Sequence, residues 1–69
     1  MLQFINLVGH LVSVREENSY VLVPAKVISQ SDGKYTVEYA AGNTEAVNMR
    51  QVGVAPAWLI QKYHEMRNV

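Results

Sequence analysis

Val37-Glu38-Tyr39-Ala40-Ala41-Gly42-Asn43-Thr44-Glu45-Ala46-Val47 decides how this chain folds. It reads as a strand, a tight Gly42-Asn43 turn and a return strand. Upstream, Tyr35, Val37 and Tyr39 share one face of a strand, and Lys34, Thr36 and Glu38 share the other. Downstream, Val47 and Met49 fall on one face of a strand from Thr44 to Met49. Before Tyr35 comes Ser31-Asp32-Gly33-Lys34. Asp-Gly readily takes the positive φ values of a two-residue hairpin turn. That turn joins Ala25-Lys26-Val27-Ile28-Ser29 to Tyr35-Thr36-Val37-Glu38-Tyr39.

Further out, His10 to Arg15 alternates, with Val12 and Val14 against Ser13 and Arg15. Glu16-Glu17-Asn18-Ser19 is a polar loop. Tyr20 to Ile28 is apolar on both faces and is interrupted by Pro24, which cannot donate to a ladder. The strand proper is therefore expected to begin near Pro24. At the C-terminal end the period changes. Pro56 suits the first turn of a helix, and Leu59, Tyr63 and Met66 form an i, i+4, i+7 stripe flanked by Trp58 and Ile60. Lys62, His64 and Arg67 lie toward the C-terminal end, where cations meet a favourable dipole. The expectation is a mainly β domain, with four or five short antiparallel strands and one helix over 56–67.

The chain has 69 residues, enough for one domain. A domain this small buries only about 60% of its unfolded surface, so its stability margin is thin. With no Cys, it has neither disulfides nor thiolate metal sites. His10 and His64 make no ligand spacing. A hydrophobic share of 49% supports a packed core and argues against disorder. Six basic and six acidic residues cancel, whereas nucleic-acid binders usually carry a basic excess. The apolar start, Met1 to Val8, lacks a basic leader and is broken by Gln3 and Asn6. It reads as neither a signal peptide nor a membrane span. A soluble, cytoplasmic protein is expected.

Four motifs in order resemble a Tudor domain, a form of SH3-like barrel, over about residues 9–52. Gly9 to Glu16 resembles the opening strand, Pro24-Ala25-Lys26-Val27 the second and Tyr35 to Tyr39 the third. Gly42-Asn43-Thr44-Glu45 resembles the turn that follows. The resemblance implies a barrel with Val12, Val14, Ala25, Val27, Val37, Val47 and Met49 inward. It also implies an aromatic cage for a methylated cation. The cage positions fall on Glu16, Val23, Tyr39 (or Glu38) and Ala41, with Asn43 beside them. Tyr39 is then the one aromatic wall, worth at most about 1 kcal/mol at an exposed site. A standalone barrel of this kind fits a small bacterial, plasmid or phage protein.

The apolar surplus directs attention elsewhere. With the barrel filled, Leu11, Leu22 and Ile28 point outward, and Phe4, Ile5 and Leu7 need cover. Large exposed apolar patches usually mark interaction sites. The leading expectation is a non-catalytic protein-interaction module that binds a partner or a second copy of itself. Its candidate binding residues are Tyr20, Tyr39, Asn43, Trp58, Tyr63 and Met66. The alternative is a nucleic-acid-binding barrel, with Arg15, Lys26, Lys34, Arg50 and Arg67 gathered on one face. Catalysis is not expected. Glu16 and Glu17 sit in a solvated loop that does little to separate their proton affinities, and His10 has no nucleophile to serve. No cofactor motif is present.

Overall fold

The computed structural model describes residues 6–68, so the expected packing of Phe4 and Ile5 lies outside the described residues. Five antiparallel strands form one sheet: β1 (Leu11–Arg15), β2 (Leu22–Ser31), β3 (Lys34–Tyr39), β4 (Thr44–Asn48) and β5 (Val52–Val54). Their order is β4-β3-β2-β1-β5. A 3-10 turn, Met49–Gln51, separates β4 from β5, and one helix, α1 (Ala57–Arg67), follows. The fold is mainly β, as the alternation predicts. Its two edges, β4 and β5, do not pair, so the sheet is not closed into a barrel.

The hairpin between β2 and β3 turns at Asp32 (φ 50°) and Gly33 (φ 76°). Both central residues have positive φ, which matches the right-handed twist of the flanking strands. The next hairpin differs from the expected Gly42-Asn43 turn. Tyr39 and Asn43 close it, with the Gly42 N–H donating to the Tyr39 carbonyl and the Tyr39 N–H to the Asn43 carbonyl. The loop is Ala40-Ala41-Gly42, and Gly42 supplies the left-handed residue at φ 97°. This is the three-residue loop that ends in a glycine bulge. Asn43 therefore serves through its backbone carbonyl and not through a tolerance of positive φ.

β2 begins at Leu22, earlier than Pro24, and Pro24 pairs with Ser13 of β1. The proline is tolerated because β3 pairs with β2 only from Ala25 onward, so the other flank of β2 has no ladder at Pro24. β2 pairs with β1 along its first half and with β3 along its second, and the register shifts between Val27 and Ser29. Met49, expected in the fourth strand, lies in the 3-10 turn instead.

Val12, Val14, Ala25, Val27, Tyr35, Val37 and Val47 form the core, with Met49 and Leu7 packed at its margin. The opposite face of the sheet carries α1. Ser13 and Pro24, paired in register, are both buried there, as are Leu59 and Tyr63 of the helix. The Ser13 hydroxyl donates to the Val54 carbonyl at 3.1 Å, which satisfies it and ties β5 to β1. A Cβ at Gly53 would meet that Ser13 oxygen at 3.2 Å, so the smallest residue fits beside it. Of the expected stripe, Leu59 and Tyr63 are buried, while Met66 is 47% and Trp58 60% exposed.

Helix docking therefore rests on Leu59, not on Trp58. We expect Leu59→Ala to cost about 2–5 kcal/mol, the range for truncating a buried leucine. Trp58→Ala should cost much less. Urea denaturation of both variants checks this, and equal losses would contradict the docking described.

Candidate functional site

An open groove of about 650 Å³ lies on the core side of the sheet. Val14, Val23 and Val47 provide its apolar walls. Tyr39 and Asn43 come from the hairpin, and Glu16 and Glu17 from the loop after β1. Glu45 and Lys34 come from β4 and β3, and Gln51 stands at one end.

Three strand facts bring these groups together. Tyr39 has the parity of the buried Tyr35 and Val37, so it points to the core side. Glu45 shares the parity of Val47 and pairs with Val37 in register, so its carboxylate also faces inward at the sheet edge. The loop after β1 turns back at Asn18, a positive-φ residue, with the Ser19 N–H donating to the Glu16 carbonyl. Gln51 braces the far end. Its side-chain oxygen accepts from the Asn48 N–H at 3.2 Å, and its amide nitrogen donates to the Arg15 carbonyl at 2.9 Å. It thereby links the end of β4 to the end of β1, two strands that do not pair.

The Tyr39 hydroxyl donates to Glu45 Oε1 at 2.6 Å. That length belongs to a charge-assisted bond. The phenol is held well above its ordinary range. Partial burial disfavours the phenolate most, the bond to Glu45 adds to this, and the charges of Glu45 and Glu16 add further. Glu45 is thus engaged by Tyr39, and among the described residues the single ion pair is Arg67 with Glu38. Three carboxylates against Lys34 leave the groove acidic.

Of the six expected site residues, Tyr39 and Asn43 meet in this groove. Glu16 and Val23, the other cage positions implied by the Tudor resemblance, line it too. Ala41 is exposed on the hairpin. Tyr20 is 95% exposed in the loop before β2 and does not line the groove. Tyr63 is buried under α1 and contributes to a smaller pocket on the opposite face. Trp58 and Met66 are exposed and line neither pocket. Glu45 was the residue missed, and its shared parity with Val47 was the signal that could have revealed it. Lys26 and Arg67 line the smaller pocket, while Lys34 lies in the groove.

Among the described residues, no group of three or more His, Cys, Asp or Glu is arranged to hold a metal ion. No helix there is long and apolar enough to cross a membrane. No family model, curated protein or solved structure matches the chain.

The raised Tyr39 phenol has a pH signature. Its contribution to stability is fully present below the ordinary phenol value of about 10. Above that the unfolded chain releases its proton first, so the contribution fades as pH rises toward the higher folded value. We expect Tyr39→Phe to lack this part of the alkaline decline. Urea midpoints of both proteins from about pH 9 to about pH 11 check it, and parallel curves would refute it.

Proposed function

We propose that this chain is a non-catalytic protein-interaction module of Tudor-like, SH3-like character, and that its groove holds a cationic side chain of a partner chain. The observation that carries the reading is the groove itself. Tyr39 stands among Glu16, Glu17 and Glu45, above walls of Val14, Val23 and Val47. A carboxylate-lined cleft with an apolar floor favours a long side chain with an aliphatic stem and a positive head. A single aromatic wall makes this recognition electrostatic first and cation–π second.

The coincidence of Glu16, Val23, Tyr39 and Asn43 around one groove supports the Tudor-like reading, since these are cage positions implied by the resemblance. Carboxylates then do the work that aromatic walls do in that family. Tyr20 and Val21, both exposed, lie in the chain between the groove residues Glu17 and Val23. They offer apolar surface to the body of the partner, which is another protein or a second copy. The cancelling of six basic by six acidic residues weighs against nucleic acid, because phosphate contacts call for a basic excess.

The test is a titration of isotopically labelled protein with a short lysine- and arginine-containing peptide. The backbone resonances of Val23, Tyr39, Asn43 and Glu45 should move together, and binding should weaken as salt rises. Glu16→Gln and Glu45→Gln should each weaken it by up to about fivefold, the span of one exposed ion pair. Groove resonances that stay still, or move equally with a glutamine-substituted peptide, would sink the reading.

A further inference from the structure

The opposite face of the sheet carries a second pocket, of about 360 Å³, between β1, β2, β3 and the last turns of α1. Leu11 and Tyr63 form its apolar base, and Gly9 stands at its margin. Its charged groups are Lys26, Arg67 and Glu38, and His64 lines it as well. A Cβ at Gly9 would meet nothing within 4 Å, so that side is open to an entering group.

His64 and Arg67 on their own would need no ligand. Cations in a last helical turn offset the carbonyl end of the helix. Lys26 is different, because it comes from β2 and not from α1. Its cross-strand neighbour in register is Glu38, the natural partner for a lysine. Glu38 instead lies 3.5 Å from Arg67 Nη1, a loose separation for a charge-assisted bond. Among the described residues Lys26 makes no ion pair. Arg67 is held in place, with Nη1 donating to the Tyr63 hydroxyl at 3.2 Å and the guanidinium lying 5.7 Å from the ring centre. Both of its contacts use Nη1, which leaves the other guanidinium N–H groups to donate elsewhere.

We propose that this pocket binds a small oxyanion, a phosphate dianion in preference to a monocarboxylate. Lys26 supplies a point charge from the sheet and Arg67 a planar fork from the helix. Two cations reaching one volume from different elements suit a tetrahedral oxyanion. Glu38 opposes the ligand and sets its affinity low. The site stands apart from the groove, because Glu38 and Tyr39 are successive residues of β3 and point to opposite faces.

The test uses inorganic phosphate, with sodium acetate as the second arm, in low-salt buffer and with labelled protein. Resonances of Gly9, Lys26, His64 and Arg67 should shift saturably with phosphate, with Kd below about 1 mM. Acetate should bind at least about tenfold more weakly, and the groove resonances should stay still. Lys26→Ala, at an exposed position, should weaken phosphate binding by up to about fivefold with the backbone resonances of the core unmoved. Glu38→Gln should strengthen it by removing a repelling charge. Equal binding of the two anions, unsaturable shifts (an adventitious ion only), indifference to Lys26→Ala, or weakening by Glu38→Gln would each overturn the proposal.

Discussion

Ten residues of β2 have to serve two sets of neighbours, and most of the molecule follows from that. The first half of the strand carries β1, and the second half carries β3. Only Ala25, Lys26 and Val27 lie near the overlap, and Ala25 and Val27 are wholly buried. The register shift after Val27 lets the strand change partners without exposing its inward side chains, because a bulge bends a strand and strengthens its twist. One half of the sheet then leans on β1 and β5, and the other on β3 and β4. The groove opens where the halves part, and Gln51 spans them.

Much of this was legible in the sequence, for identifiable reasons. Asp32-Gly33 carries its own backbone preference, so the first hairpin could be read without tertiary knowledge. The alternation of Tyr35 and Val37 gave the inward face of β3, and the Leu59–Tyr63 spacing gave the buried face of α1. The second hairpin was misplaced by one step, because Ala40 and Ala41 have no turn signature and the glycine drew the eye to Gly42-Asn43. β5 was hard to see because three residues, one of them glycine, owe their extended shape to pairing with β1. The groove was half legible. Tyr39 and Asn43 were singled out from the hairpin, but the groove's acidity depends on where the Glu16-Glu17 loop folds back and on an inward-facing Glu45 at the sheet edge.

A net charge of zero conceals a separation of sign. Glu16, Glu17 and Glu45 outnumber Lys34 along the groove, and Lys26 and Arg67 flank Glu38 in the smaller pocket. Surface charges farther apart than about 8–10 Å are largely screened at physiological salt, so each face acts locally. Composition averages over the two faces and could not have shown this.

The contact between β1 and β5 has a consequence for how the chain acquires its shape. Every other strand pair joins neighbours in sequence, with a turn or short loop between them. Val12 and Val54 pair across about two thirds of the described chain. Closing that long loop carries the largest entropic cost of any pairing in the sheet, although the cost grows only logarithmically with length. Three paired residues and the Ser13–Val54 hydrogen bond return little against it. Much of the compensation comes from the helix that follows directly, whose Leu59 and Tyr63 bury themselves on the same face as Ser13. Helix α1 packs on β2 and on β1, so its docking holds the chain just after β5 beside the strand that β5 pairs with.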